Sequence, residues 1–360
     1  MRVLAVTGAS GGHIFPALSF IDALKEKRAD IDTLLVLPER GLRPGVMLAD
    51  GKIKYISTAT LTSGLNTANL VALVRFLKGV WESLRIILGF KPDMVVGFGS
   101  SDSIPCLLIA WLFRIRTLIH EQNVIPGKAN RLLARFADRV AVSFKETAGY
   151  LKIDPEKIVF TGNPLRRQIK IMDKNACLDI FGLSQNRFTL LVMGGSQGSR
   201  RVNAGILKAL GSLKDVSQLQ VIHLAGRGNL DEVKEAYGKM GIIAAVFEFF
   251  APIEKAYSAS DLVITRAGGS AIAELIYFRL PAVILPYPFA YAHQLANARV
   301  LQEAGCAVIV DDAALDQGLG PALGSLLDNR EKLGKMRAGF AGLSTGEAAG
   351  LLADAALSLN

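Results

Sequence analysis

Two stretches of this chain repeat one pattern: an apolar run, a glycine-serine loop, then a helical pattern. The first is Val3-Leu-Ala-Val-Thr-Gly8-Ala-Ser10-Gly11-Gly12-His13, followed by Pro16 to Leu24. The second is Leu190-Leu-Val-Met-Gly194-Gly195-Ser196-Gln197-Gly198, followed by Asn203 to Leu210. Glycine lets the backbone turn sharply and approach a ligand closely. A helix start presents unpaired N–H groups and the positive end of the helix dipole, which suit an anion. One such unit is a weak signal, but two half a chain apart predict two Rossmann-like halves with a ligand between them.

Between and beyond these loops, strand-like runs alternate with helical patterns. The runs are 2–7, 33–37, 53–57, 94–97, 117–119, 139–142 and 158–160, then 188–193, 220–224, 244–249, 262–265, 282–285 and 307–310. Regular alternation predicts parallel sheets covered on both faces. The break falls near Thr161-Gly-Asn-Pro164, where turn residues follow a strand. The Ala/Leu-rich stretch from Glu347 to Leu359 reads as a terminal helix. With 360 residues and 51% hydrophobic composition there is material for two cores. The expected domains are 1–163, with 344–360 packing back on it, and 164–343.

Cys106, Cys177 and Cys306 are widely spaced and form no metal or redox motif, as suits a reducing cytoplasm. The chain enters a strand and glycine loop at once, which argues against a cleaved leader. Asp30-Ile-Asp32 fits a D-x-D by letters but lies among surface charges, so no dedicated metal site and no cofactor are expected.

The net charge of +9 is uneven. Residues 1–163 hold 21 Lys and Arg against 14 Asp and Glu, and the remainder 20 against 18. The first half therefore meets something anionic. Its basic residues are not interleaved with stacking aromatics, so nucleic acid is not expected and an anionic membrane surface is the better partner. Leu70, Leu73, Val74, Leu77, Trp81, Leu84 and Leu88 recur at helical spacing, with Arg75, Lys78, Glu82 and Arg85 on the other face. Cys106 to Phe113 is apolar and ends in Arg114-Ile-Arg116. Neither stretch is long and clean enough to span a bilayer. Two readings stay open: an interfacial helix, or an ordinary helix whose stripe faces the core.

Several polar groups fall on the loops at strand ends. In Arg266-Ala-Gly268-Gly269-Ser270, Glu274 lies one turn into the following helix. Loop N–H groups for a diphosphate and a carboxylate for ribose hydroxyls make a nucleotide site; the bland alternative is that Glu274 supports the helix start. Gln294, at the start of another helix, can donate and accept toward sugar hydroxyls. His13 sits on the first glycine loop, where a base beside an acceptor group is useful. His120 opens the cluster His120-Glu-Gln-Asn123, as a site residue or a packed structural histidine. His223 lies within a strand and reads as structural.

These pieces run in one order over nearly the whole chain: Gly8 to His13 with Pro16, His120 to Asn123 with Gly127 and Asn130, Gly162-Asn-Pro-Leu-Arg166, Gly194 to Gly198, Arg266 to Glu274, and Pro286-Tyr-Pro288 with His293, Gln294 and Asn297. In this the chain resembles the bacterial undecaprenyldiphospho-muramoylpentapeptide β-N-acetylglucosaminyltransferases, which form lipid II for peptidoglycan. The resemblance implies an α/β GT-B fold, with two Rossmann-like doubly wound domains facing across a cleft. It implies inverting transfer of N-acetylglucosamine from UDP-GlcNAc to the 4-hydroxyl of the muramoyl sugar of lipid I, at the cytoplasmic face of the cell membrane. Ser10, Gly11 and Gly12 would then contact the donor or the acceptor diphosphate, and His13 would be the general base. Asn123 would touch the donor sugar, and Arg166 and Ser196 the donor's polar groups. Phe250 would sit by the uracil. Gly269, Ser270, Ala271, Ile272 and Ala273 would hold the diphosphate, Glu274 the ribose and Gln294 the sugar hydroxyls.

The sequence departs from that pattern in places. The first loop is Gly-Ala-Ser-Gly-Gly rather than Gly-Gly-Thr-Gly-Gly, Gly97-Phe-Gly-Ser-Ser-Asp102 replaces a glycine-tyrosine form, and His293 precedes Gln294. Donor features match better than acceptor features. A related GT-B enzyme glycosylating diacylglycerol and a non-catalytic nucleotide-sugar sensor are the alternatives. A hydrolase would use Ser196 as an elbow nucleophile with Asp261 and His293. A dinucleotide oxidoreductase would use Glu39, but Gly-x-Gly-x-x-Gly is missing.

Overall fold

All thirteen apolar runs form strands. The computed structural model describes residues 1–40, 52–59, 67–195, 198–343 and 347–359. The chain divides after Arg166 into two units, with the C-terminal helix belonging to the first.

The first unit runs β1 (Arg2–Val6), α1 (Gly11–Lys27), β2 (Asp32–Pro38), β3 (Lys52–Ile56), α2 (Thr67–Phe90), β4 (Met94–Gly97), α3 (Ile104–Leu112), β5 (Arg116–Glu121), α4 (Lys128–Leu133), β6 (Arg139–Val142) and β7 (Ile158–Phe160). Its sheet has the order β3-β2-β1-β4-β5-β6-β7, all parallel. Side chains alternate across a strand, so β1 feeds two cores. Val3 and Ala5 pack with α1 on one face, and Leu4 and Val6 with α3 on the other.

The second unit runs α5 (Lys174–Ile180), β8 (Phe188–Met193), α6 (Arg200–Gly211), β9 (Leu219–Leu224), α7 (Leu230–Lys239), β10 (Ile243–Phe247), α8 (Ile253–Ser258), β11 (Leu262–Thr265), α9 (Gly269–Phe278), β12 (Ala282–Ile284), α10 (Tyr291–Glu303), β13 (Ala307–Ile309), α11 (Leu315–Leu327) and α12 (Arg330–Gly339). Its sheet order is β10-β9-β8-β11-β12-β13, again parallel. The last helix, α13 (Ala348–Leu357), returns to the first unit. Leu352, Ala353 and Ala356 join Ala17, Phe20 and Leu24 of α1 in one core, and Lys27 pairs with Asp354 at 2.9 Å.

In doubly wound sheets the ligand crevice opens at the carboxyl ends of the strands where the winding reverses. That point lies between β1 and β4 in the first unit and between β8 and β11 in the second. The loops there carry Gly8 to Gly12 and Gly97 to Asp102 in one unit, and Gly194 to Gly198 and Arg266 to Gly268 in the other.

Candidate functional site

In the first unit, Gly8 is required by close packing: a Cβ there would lie 2.5 Å from Ser100 Cβ. Ser10 stands at the N-cap of α1 yet makes no side-chain cap bond, and the first turn holds no acidic residue. Its Oγ instead meets His13 Nδ1 at 2.8 Å. The uncapped start leaves the Gly11 and Gly12 amides for an anion. The His13 ring runs past Gly99, whose φ is +79° and where a Cβ would sit 3.3 Å from His13 Nε2. Burial pushes the His13 pKa down, and the Asp102 carboxylate opposes that effect. The imidazole is therefore neutral near pH 7, the form a base needs.

The 120–123 cluster is mostly internal. His120 is fully buried, with Nε2 3.0 Å from Gly162 O and Nδ1 3.2 Å from Gln122 Nε2. Since the Gln122 amide donates, Nδ1 accepts and Nε2 carries the proton to the carbonyl. Burial lowers its pKa to about 4 against the raising effect of the Gly162 carbonyl, so His120 is a neutral structural group. The buried Glu121 carboxylate accepts from Asn123 N at 2.9 Å, Asn123 Nδ2 at 3.1 Å, Gly127 N at 3.0 Å and Asn130 Nδ2 at 2.9 Å. It folds the loop that carries Asn123, a function that spacing alone did not assign. Arg166 lies with its guanidinium 4.5 Å from the Phe15 ring centre on α1.

In the second unit, Gly195 and Gly198 have φ of +104° and +73°. A Cβ on Gly198 would lie 2.6 Å from Ala225 O. Ser196 lies outside the described residues. Behind this loop His223 bonds Tyr237 Oη at 2.9 Å and Asn203 Oδ1 at 3.1 Å, within the core. Arg266 is buried; its Nη1 donates to Leu285 O at 3.0 Å and to Asp312 Oδ1 at 2.6 Å. It thereby fixes the chain leading to Tyr287 from below.

Gly268 caps α9 with no side-chain bond. The amides of Gly269, Ser270 and Ala271 therefore point from a bare helix start, and Ile272 and Ala273 bury their side chains behind them. Ser270 Oγ is buried with no partner among the described residues. Glu274 Oε2 accepts from Tyr257 Oη at 2.8 Å. Gln294 Oε1 accepts from Ala267 N at 3.0 Å and Tyr287 N at 2.9 Å. Its carbonyl is thus spent on the fold, and the amide NH₂ is the part left for a ligand. The Phe250 ring packs 5.0 Å from both Phe181 and Phe247. Its neighbour Phe249 is 70% exposed.

Helix α2 settles which way its stripe faces. Ala72, Gly79 and Ser83 are buried, and a Cβ on Gly79 would strike Ser57 O at 2.1 Å. Glu82 turns inward and accepts from Ser57 N at 2.6 Å. Ile87 is buried as well, with Val80, Leu84, Ile86 and Phe90 packed beside it, so the packing face joins small and polar residues at Ser57 to an apolar C-terminal end. Leu70, Leu73, Val74, Leu77, Trp81 and Leu88 are exposed, Trp81 by 55%, and Leu84 is half-buried. Trp111, Leu112 and Phe113 at the end of α3, and Leu132 and Phe136 around α4, are exposed too. Arg85 lies 4.7 Å from the Trp81 ring centre. No helix among the described residues is long and apolar enough to cross a membrane.

The geometry removes the hydrolase rival. Asp261 precedes β11 and binds Thr189 N at the start of β8, with Lys174 and Arg337 upon it. It is at the opposite end of the sheet from Gly194 and Gly195, which follow β8, so Asp261 cannot serve as a triad acid for a nucleophile on that loop. Glu39 follows β2 and accepts from Ser57 Oγ at 3.0 Å, beside a loop that lacks the Gly-x-Gly-x-x-Gly a dinucleotide needs.

Residues 3–142 match the glycosyltransferase family 28 N-terminal domain and residues 189–350 its C-terminal domain. The chain belongs to glycosyltransferase family 28. A Desulforudis audaxviator relative, named UDP-N-acetylglucosamine–N-acetylmuramyl-(pentapeptide) pyrophosphoryl-undecaprenol N-acetylglucosamine transferase, is 37% identical over 94% of this chain and 92% of its own. A Listeria monocytogenes relative of the same name is 32% identical over 100% and 99%. The crystal structure of Acinetobacter baumannii MurG superposes with a TM-score of 0.78 at 26% identity, covering 98% of each chain. UDP-GlcNAc 2-epimerase of Neisseria meningitidis, bound to UDP-GlcNAc, shares the fold at a TM-score of 0.70 and 17% identity. With two doubly wound units in one chain, this family 28 member has the GT-B fold, and it is a glycosyltransferase.

Proposed function

We infer that this chain transfers N-acetylglucosamine from UDP-GlcNAc to the 4-hydroxyl of the N-acetylmuramoyl-pentapeptide of undecaprenyl-linked lipid I, giving lipid II. The observation that carries the reading is the bare start of α9 with Glu274 one turn on, its carboxylate held by Tyr257. Amides of Gly269, Ser270 and Ala271 take the UDP diphosphate, and the helix dipole stabilises the charge that grows on it as the glycosidic bond breaks. Glu274 accepts from the ribose hydroxyls, the Gln294 NH₂ donates to the sugar, and the Phe249–Phe250 segment lies by the uracil. Asn123, Arg166 and Ser196 complete the donor contacts.

His13 takes the acceptor hydroxyl proton on Nε2 while Nδ1–H donates to Ser10. The acceptor oxygen attacks C1 from the side opposite UDP, which inverts the anomeric centre. The Ser10, Gly11 and Gly12 loop takes the acceptor diphosphate. The lipid-linked acceptor stays in the bilayer, so the enzyme works at the cytoplasmic face as a peripheral protein, held by the exposed α2–α3–α4 surface and its surrounding cations.

Radiolabelled UDP-GlcNAc is offered with lipid I or with diacylglycerol. Label in lipid II alone is the expected result. Label in diacylglycerol would make the chain a glycolipid synthase, and donor binding without transfer to either would make it a sensor.

A further inference from the structure

Ser100 has φ 67° and ψ 154°, a region of backbone space that is essentially glycine's. A serine stays there only where its surroundings fix it. Its Oγ donates to Asp102 Oδ2 at 2.9 Å, and Asp102 Oδ1 accepts from Arg40 Nη2 at 2.8 Å. Asp102 is buried, and Arg40 is the more exposed member of the pair. A Cβ on Gly8 would lie 3.0 Å from Ser100 Oγ and 3.1 Å from His13 Nδ1. The serine and the imidazole therefore flank the same bare α-carbon. This is also the loop whose letters depart from the glycine-tyrosine form.

We propose that Asp102 is a positioning residue for proton transfer: its carboxylate, anchored by Ser100 and Arg40, is the counter-charge for the imidazolium that His13 becomes. The proposal rests on the reading of His13 as the base. As the acceptor oxygen bonds to C1 and the C1–O bond to UDP breaks, the hydroxyl proton moves to His13 Nε2, and the new positive charge forms in a half-buried site. An anion close by stabilises that charge. Other ionisable groups around the ring among the described residues are few. Arg40 lies beyond Asp102. His120 on β5 is held neutral by burial. Arg166 stacks on Phe15, further along α1. Asp102 already works against the desolvation of His13.

With only four histidines in the chain, each imidazole can be titrated by ¹⁵N NMR in the full-length protein. In Asp102→Asn the His13 midpoint should fall by about half a pH unit or more. In Arg40→Ala, where the carboxylate loses its cation, it should rise. The acid limb of kcat/KM should move the same way in each variant, a pair of opposite shifts that loss of structure does not produce. A His13 midpoint unchanged in Asp102→Asn, with the other three imidazole signals in place, overturns the proposal. If that variant does not fold, a downward or absent shift in Arg40→Ala overturns it. Midpoints that move while the acid limb stays still overturn His13 as the base, and the proposal with it.

Discussion

Tyr257 donates its phenolic hydrogen to Glu274 Oε2 at 2.8 Å from inside the second core. The tyrosine is 1% exposed, so the carboxylate is aimed by a group that does not itself reach a ligand. Glu274→Ala should weaken UDP binding by about 1.5–3 kcal/mol, the usual worth of a hydrogen bond to a charged group. Tyr257→Phe should act in the same direction but less, by about 0.5–1.5 kcal/mol. Calorimetry with UDP checks both. If Glu274→Ala binds UDP as wild type does, the carboxylate serves the helix start and not the ribose.

His13→Ala should lower kcat by ~10²–10⁴-fold, the usual share of a positioned base, with UDP affinity kept. A fall of less than about threefold in a folded variant would remove His13 from proton transfer. A change confined to acceptor KM would assign it to binding.

The outward face of α2 predicts salt-sensitive attachment to anionic vesicles, at about 1 kcal/mol for each nearby cation. Leu77→Ser with Trp81→Ala should reduce vesicle binding and activity on lipid I, with a short-chain soluble acceptor little affected. Lys78 is a poor choice for this test, because it pairs with Glu82 at 3.4 Å and its loss would disturb α2 itself. Equal loss on both acceptors would mean that these side chains support the fold.

Two buried histidines set the response to mild acid. Burial lowers the pKa of His120 to about 4 and of His223 to about 3. The unfolded chain protonates both near pH 6.5, so it binds more protons than the native state below that value. Stability is therefore full above about pH 6.5 and falls as the pH drops toward these depressed values. By pH 5 each histidine should cost its unit about 2 kcal/mol. Ordinary carboxylates titrate lower, and His13, whose pKa burial also lowers, acts in the same direction, so thermal unfolding at pH 7 and pH 5 reads the summed effect of the buried histidines. Equal midpoints at the two values would rule it out.

Strand positions were legible because every central strand is a short apolar run bounded by turns, and parallel sheets bury both faces of such runs. The glycine loops were legible for a related reason: Gly8 and Gly198 have no room for a Cβ. The direction of α2 was not. Periodicity reports that a helix has two faces; the packing face here joins Ala72, Gly79 and Ser83, whose small size lets the helix close on Ser57, to the buried Ile87 further along. Hydrophobicity alone gives Ala, Gly and Ser little weight. Nor did spacing show that Glu121 folds the Asn123 loop, or that Gln294 spends its carbonyl on Ala267 and Tyr287. Both depend on backbone amides brought together only by the tertiary fold.

Helix α13 supplies Leu352, Ala353 and Ala356 to a core otherwise built from the first 166 residues. On the ribosome, the front half of the chain therefore emerges with one face of its sheet only partly covered. It must wait until residues 348–357 have followed before that core closes. The second unit, unbroken in sequence from Arg167 to the end of α12, has all its parts as soon as they leave the exit tunnel. Completion thus runs against the order of synthesis, and a chain cut short before residue 348 carries its damage in its earlier-made half.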